Sequence, residues 1–296
     1  MKPAPQRGTI LLEDAQLLGQ QQWPGRQFVL HLKAPGIAAR ATPGSFVHLS
    51  CDPDLPMRRP LSIQRADPAT GTLEILYKVV GAGLGALSRA PKGARLSCLG
   101  PIGRGFTADP ARRRALLLGG GVGMPPIVYL AESLVARAAE GFLPLVLLGS
   151  ELPFPFRARP STILVPGIPA GAIAAMPLLE ELGVPSRLAT LAGFPGCFPG
   201  YVTELAAAWL EGLGAAERGE VAVYACGPTP MLAAVARLAE RFALPCQVSL
   251  EEFMACAVGG CAGCAVRVVT PDGVAMKRVC VDGPVFEAAT VFPPAA

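Results

Sequence analysis

The sequence of 296 residues predicts three successive parts: an antiparallel β-barrel, an α/β domain with a parallel sheet, and a small cysteine-rich module. Short β-like runs without comparably clear helices fill the first part. Apolar strands then alternate with helical stretches, which is the pattern of βαβ units. Four of the nine cysteines crowd together near the end. We therefore expect domains at 1–108, 109–245 and 246–296.

Composition limits the classes of protein that the chain can belong to. Charged residues make up 16% and hydrophobic residues 51%, with a net charge of +4, so the chain should fold around a large core. The longest uncharged stretch, 115–131, is rich in glycine and proline and predicts no membrane span. Glu13 and Asp14 leave no apolar signal-peptide core. We expect a cytoplasmic protein, and the small, dispersed charge predicts no nucleic-acid partner.

The barrel is predicted from β-like runs separated by turn residues. They lie at 28–32, 45–49, 60–63 and 73–80. Such spacing favours an antiparallel barrel or sandwich. His31 and His48 fall within these runs, and we interpret both as ordinary strand residues.

The α/β domain is predicted from apolar strands and intervening helices. Strands are expected at 115–118, 145–148, 161–165 and 221–225. Helices are expected at 127–139, 202–213 and 231–242. From about Gln247 the helical pattern ends.

Two turns follow predicted strands of this domain. The first carries four glycines, at Gly119, Gly120, Gly121 and Gly123, and opens a helix. Backbone N–H groups there could approach a diphosphate, but the spacing is not G-x-G-x-x-G, so a close-packed structural turn is the alternative. The second turn should bring Cys226 and Gly227 to the carboxyl edge of the sheet, where ligands bind.

Four cysteines have the spacing C-x4-C-x2-C-x15-C, which is typical of a plant-type [2Fe–2S] cluster. A hairpin over 265–279 should return the last of them to the loop that holds the others. A structural zinc site and free buried thiols are the alternatives, although zinc usually takes two close cysteine pairs. The proposed ligands are Cys256, Cys261, Cys264 and Cys280. The other five cysteines are interpreted as small buried hydrophobic residues.

The extended segment Arg59-Pro60-Leu61-Ser62 could present a cation to a phosphate and a hydroxyl to a ring edge. Together with the two turns and the cysteine module, it resembles the ferredoxin-reductase superfamily. Within that superfamily the chain is most similar to the electron-transfer subunits of bacterial dihydroorotate dehydrogenase. The segments that carry this resemblance are 59–62, 76–78, 81–83, 100–106, 251–264 and 279–286.

The resemblance implies FAD, a [2Fe–2S] cluster and NAD(H). Arg59 would hold the FAD diphosphate and Ser62 would lie near the flavin ring. Electrons would pass between NAD(H), FAD and the cluster, and to or from FMN in a separate dihydroorotate dehydrogenase catalytic subunit, in a suspected heterotetramer. The remaining FAD contacts that the resemblance implies are Pro60, Leu61, Leu76, Tyr77, Lys78, Gly83 and Leu84.

Departures from the family pattern lie mostly where a nicotinamide would dock. Leu84 replaces a usual threonine, and 189–200 lacks a usual acidic group. NAD binding is therefore a weaker expectation than FAD and cluster binding. The alternatives are a related flavin/iron–sulfur reductase subunit with another partner and a zinc-stapled scaffold protein. Because the cofactors carry the chemistry, no catalytic side chain is predicted.

Overall fold

The computed structural model describes residues 8–52 and 54–294. Two seven-stranded sheets dominate it. Residues 1–7 of the predicted first domain and residues 295–296 of the predicted third domain lie outside the described residues.

The first sheet is antiparallel and forms the expected barrel. Its strand order is β4-β3-β7-β1-β2-β6-β5, and β1 pairs with both β2 and β7. Alternate residues fill its interior, where Leu30, Ile63 and Ile75 are completely buried. The elements are β1 (Leu11–Trp23), β2 (Gln27–Lys33), α1 (Pro35–Ala38), β3 (Phe46–Leu49), β4 (Arg59–Ser62), β5 (Arg65–Asp67), β6 (Thr72–Lys78), α2 (Gly81–Leu87) and β7 (Arg95–Ile102).

The second sheet has the order β13-β12-β9-β8-β14-β15-β18 and is parallel except at β18. Its central strands are buried on both faces, which explains their continuous apolar runs. The elements up to the last parallel strand are β8 (Arg114–Gly120), α3 (Met124–Ala136), β9 (Leu143–Gly149), β10 (Arg159–Pro160), β11 (Ala174–Ala175), α4 (Pro177–Glu181), β12 (Ser186–Thr190), β13 (Phe198–Pro199), α5 (Val202–Glu211), α6 (Ala215–Gly219), β14 (Val221–Cys226), α7 (Thr229–Arg241) and β15 (Cys246–Ser249).

One portion of the C-terminal part forms a separate two-stranded sheet, and another portion adds a strand to the second seven-stranded sheet. Its two-stranded hairpin is separate, whereas β18 pairs antiparallel with β15, so strands on both sides of Gly283 belong to different sheets. The predicted hairpin is therefore confirmed, with Thr270 opposite Gly273 across the turn. The elements are β16 (Ala265–Thr270), β17 (Gly273–Arg278), α8 (Val279–Asp282), β18 (Val285–Glu287) and α9 (Ala288–Val291).

The prediction of a strand at 161–165 was wrong. The segment is irregular, and Leu164 is 92% exposed. The short strand β10 ends at Pro160, where it pairs with Ala174 of β11, and Pro166 closes the run, since proline cannot donate to a ladder. The strand at that place in the fold is β12, which the sequence pattern did not reveal.

Contacts between the barrel and the α/β domain fix the cleft between them. On α3, the Tyr129 hydroxyl donates to the carbonyl of Ala41 at 2.9 Å, and Glu132 pairs with Arg65 of β5 at 2.8 Å. Burial raises the pKa of Glu132 more than Arg65 lowers it. These contacts hold the middle of α3 against the barrel.

Among residues 8–52 and 54–294, no helix has the length and apolar character needed to cross a membrane.

Replacing Tyr129 with phenylalanine should lower stability by about 1 kcal/mol, because it removes one hydrogen bond and leaves the Ala41 carbonyl without its partner. The thermal unfolding midpoint would measure this. Tyr201→Phe is the matched control, since that side chain is 58% exposed. Equal midpoints for the two variants would contradict a role of Tyr129 in docking the domains.

Candidate functional site

The four predicted cluster ligands lie on the loop after β15 and at the start of α8. Cys264 and Cys280 are buried and their sulfurs are 3.4 Å apart. Cys256 is half-buried and its sulfur is contacted by the side chain of exposed Cys261. The hairpin β16–β17 thus returns Cys280 to the loop as expected, and the thiols form two neighbouring pairs.

Backbone N–H groups point at the sulfurs of this loop. The Cys261 N–H lies 3.4 Å from Cys256 Sγ, and the Gly263 N–H lies 3.4 Å from Cys261 Sγ. Burial raises the pKa of Cys256, but hydrogen bonds from the backbone of Cys261, Val258 and Gly260 outweigh burial and lower that pKa to about 6. The loop therefore stabilises sulfur in its charged form, which a metal-bound thiolate requires.

The backbone of the loop that carries these sulfurs is strained at two positions. Ala257 and Ala262 have positive φ angles of 55° and 54°, and Gly259 has one of 80°. A left-handed alanine costs about 1–2 kcal/mol. The loop therefore holds two alanines in a conformation that alanine itself does not favour.

The thiol arrangement fits a two-iron cluster better than a single ion. Among the described residues, no three His, Cys, Asp or Glu side chains stand close enough together to hold one metal ion. Two separate thiol pairs suit two metal centres, with one pair on each. The zinc alternative lacks this support.

The predicted FAD contacts gather at one edge of the barrel. The Arg59 guanidinium packs over Gly83, where an added Cβ would lie 2.9 Å from Nη2. Arg59 also donates to the carbonyls of Met57 and Arg58. An arginine held over the glycine-rich start of α2 can bind a diphosphate.

The strands β4 and β6 divide these contacts between two faces. Ser62 is half-buried and stands opposite Phe46 on the outer face, whereas Leu61 lies inside the barrel. Leu76 faces outward into the core of the α/β domain, and Lys78 is exposed. Tyr77 points inward, is 1% exposed, and donates to Gln20 at 2.8 Å. The Tyr77 side chain is therefore unavailable to a cofactor on the outer face.

At three of the four turn glycines, neighbouring protein atoms occupy the space that a side chain would need. A Cβ on Gly123 would lie 2.5 Å from the Gly227 nitrogen, and one on Gly120 would lie 2.2 Å from the Met231 sulfur. Gly119 is packed in the same way. Only Gly121, with φ of +54°, faces open space. The turn thus combines the close-packed junction that was the alternative interpretation with one open glycine before α3.

The carboxyl edge of the sheet brings Cys226 and Glu251 together. Cys226 is 1% exposed, and burial, with a smaller contribution from Glu251, raises its pKa well above the usual range. Glu251 is accessible to solvent but densely surrounded by protein, and this burial raises its pKa. Glu251 lies two residues after the end of β15, at the start of the segment 251–264 that carries the family resemblance.

The missing acidic group in 189–200 is matched by an aromatic cluster at the same sheet edge. Phe154, Phe156 and Phe194 pack together after β9 and β12, with ring centroids 5.4 and 6.3 Å apart. Phe154 is buried in the α/β core, and the exposed carboxylate of Glu151 lies two residues after β9.

Comparison with known proteins gives three findings. Residues 251–292 match the family described as the iron–sulfur cluster binding domain of dihydroorotate dehydrogenase B. Proteins named dihydroorotate dehydrogenase B (NAD(+)), electron transfer subunit, are 32% identical in Desulforamulus reducens, over 92% of this chain and 95% of the relative, and 37% identical in Bacillus caldolyticus, over 90% and 93%.

Solved structures share the fold. An NADH-dependent reduced ferredoxin-NADP oxidoreductase superposes with a TM-score of 0.74 at 23% identity, covering 94% of this chain and 90% of the other. The ferredoxin reductase of carbazole 1,9a-dioxygenase gives 0.61 at 20% identity, covering 80% and 67%. The antiparallel barrel followed by a parallel sheet is thus a ferredoxin-reductase-like fold.

Replacing Gly123 with alanine should displace α3 and lower the thermal unfolding midpoint, because the new Cβ would meet backbone atoms of Cys226 and Gly227 that cannot yield cheaply. Overpacking of this kind costs about 1–3 kcal/mol. Gly219→Ala is the control, since open space surrounds that position. A midpoint unaffected by Gly123→Ala would contradict the close-packed turn.

Proposed function

The chain belongs to the family of dihydroorotate dehydrogenase B electron transfer subunits, and we propose that it carries electrons between NAD(H) and an FMN-containing dihydroorotate dehydrogenase catalytic subunit. FAD and a [2Fe–2S] cluster are its cofactors. When bound, FAD exchanges hydride with the nicotinamide and the cluster accepts single electrons. The residues of the chain bind these groups, orient them and exclude water.

The observation that carries this proposal is the position of the loop after β15 that bears Cys256, Cys261 and Cys264 (the thiol loop). It lies on the same side of the barrel as the outer face of β4 (the flavin strand). Phe46 stands opposite Ser62 in the barrel and belongs to the same apolar core as Cys264 and Cys280. Met254, two residues before Cys256, also joins this core. A cofactor held on the outer face of β4 would therefore lie on the side of the barrel that packs into the core containing these cysteines.

We assign the cluster to Cys256, Cys261, Cys264 and Cys280. Backbone N–H groups aimed at the sulfurs support this assignment, because they stabilise negative charge on the ligands. The hydrogen bond from the Arg278 guanidinium to the carbonyl of Gly259, at 2.8 Å, ties β17 to the same loop.

We assign the FAD diphosphate to Arg59 and the backbone around Gly83 and Leu84. Ser62 and Pro60 would contact the flavin ring, and Leu76 and Lys78 would line its far side. Tyr77 and Leu61 would support these strands from the barrel interior, because their side chains are buried there.

We assign the nicotinamide to the sheet edge where Gly121 and the Cys226-Gly227 turn lie. Gly119, Gly120 and Gly123 would shape the turn by letting neighbouring atoms pack against it. Leu76 of β6 packs against the α/β core beside this turn, which supports contact between a nicotinamide there and a flavin on the barrel.

We also propose a cytoplasmic location. None of the nine cysteines, all of which lie among the described residues, forms a disulfide, which suits a reducing compartment. A heterotetramer of two electron transfer subunits and two catalytic subunits is the assembly we expect.

Replacing Cys280 with serine should remove the cluster and leave flavin, because the buried pair with Cys264 loses one sulfur. Visible absorption and iron content per flavin measure this. Cys197→Ser is the control, since Cys197 lies outside the thiol loop. Full iron content in Cys280→Ser would refute the ligand assignment.

Replacing Arg59 with alanine should lower flavin occupancy and leave the iron content unchanged, because the cation over Gly83 is lost. A charge-assisted contact of this kind contributes about 1.5–3 kcal/mol, so FAD affinity should fall at least about tenfold. Arg95→Ala, on an exposed part of the barrel, is the control. Unchanged FAD affinity would sink the assignment.

The whole function is tested by co-expression with an FMN-containing dihydroorotate dehydrogenase catalytic subunit. We expect a stable complex that reduces orotate with NADH, while neither the cluster-free Cys280→Ser complex nor the isolated catalytic subunit does so. A stable complex with a different oxidoreductase and no orotate reduction would instead favour the related reductase subunit.

A further inference from the structure

His48 is a buried polar residue between the flavin strand and the thiol loop. It is 1% exposed and stands opposite Pro60 of β4 and Leu99 of β7. Its neighbours Val47 and Leu49 fill the barrel interior. His48 therefore shares the outer face of β3 with Phe46, the face that the C-terminal part covers.

The ring of His48 contacts backbone from two directions. The carbonyl groups of Met254 and Arg58 lie within hydrogen-bonding reach of it. Nε2 is buried without a hydrogen-bond partner among the described residues. Met254 precedes the first thiol by two residues, and Arg58 precedes the Arg59 that packs over Gly83.

An imidazole in this position is costly unless it has a specific role. Burial, together with the charges of Arg58 and Arg59, lowers the pKa of His48 to about 4. The ring is therefore neutral, and one of its nitrogens is desolvated without compensation. An aliphatic side chain would fill the same space without this cost, so the contact with backbone carbonyls is the feature that distinguishes histidine here.

We propose that His48 is a positioning residue that fixes the loop bearing Cys256 against β4 and so sets the separation of the flavin and the cluster. The proposal rests on the function proposed above. Electron transfer slows steeply as donor and acceptor move apart, and His48 is a side chain that contacts backbone next to both binding segments. It touches neither cofactor in this arrangement and acts through the backbone that carries their ligands.

The test compares His48→Leu, which keeps the volume and loses both ring nitrogens, with His48→Asn, whose amide can still donate to a backbone carbonyl. His31→Leu is the control, because His31 lies on β2 with its side chain 45% exposed. Flavin and iron content are measured first. Stopped-flow absorbance then separates flavin reduction by NADH from the later reduction of the cluster.

We expect His48→Leu to slow cluster reduction about tenfold with flavin reduction unchanged, as is typical when a supporting contact behind a metal ligand is lost. His48→Asn should restore most of the rate. Amide hydrogen exchange over 251–256 should rise in His48→Leu and stay at the wild-type level in His48→Asn and His31→Leu.

Wild-type rates of cluster reduction in His48→Leu would overturn the proposal, as would equal slowing in His48→Leu and His31→Leu. If His48→Leu does not retain its cofactors, His48→Ala takes its place. Raised exchange over 251–256 and slowed cluster reduction in His48→Ala, both restored in His48→Asn, support the proposal, and equal exchange and rates in these two variants overturn it. Failure of wild-type protein to reduce its cluster with NADH would instead refute the proposed function.

Discussion

The position of Cys280 depends on how the chain returns to the body of the protein after the hairpin. The Arg104 N–H donates to the Gly283 carbonyl at 2.6 Å, and an added Cβ on Gly103 would lie 2.4 Å from Pro284. Directly after Pro284, β18 begins and pairs with β15. The C-terminal part is thus fixed to the linker between the domains and to the edge of the second sheet. Because Cys280 lies just before this anchor, the thiol loop is held at one place on the barrel.

The thiol loop itself gains little stability from its own conformation. Two left-handed alanines cost about 1–2 kcal/mol each, and four thiols are brought close together. Its sulfurs accept backbone hydrogen bonds, and a bound cluster adds four metal–sulfur bonds. Metal binding and folding are coupled in such sites. The anchor through β18 and the contacts at Met254 hold the ends of the loop, so the cluster has to order only what lies between them.

The sequence predicted the fold class and the hairpin that returns Cys280, since each has a periodic or spaced signal. Apolar runs predicted β8, β9 and β14, and the cysteine spacing predicted a loop with a returning strand. The 13-residue strand β1 was not predicted, because glutamine and acidic residues mask its alternation. The inward direction of Tyr77 depends on strand register, and the filled glycines depend on Met231 and Gly227. His48 resembled any strand histidine, because its significance comes from a carbonyl more than two hundred residues away.

The outer face of the barrel offers a place where one flavin could exchange electrons with both a nicotinamide and an iron–sulfur cluster. On β6, Leu76 packs into the core that surrounds α3 and the glycine turn. On β3, Phe46 packs into the core that contains the buried thiols. The two strands lie on opposite sides of β7, β1 and β2 in the sheet order, yet β6 also approaches β4 where the barrel closes. A flavin bound across this closure would contact the α/β cleft on one side and the thiol loop on the other. The proposed order nicotinamide, flavin, cluster would then follow from how the barrel closes.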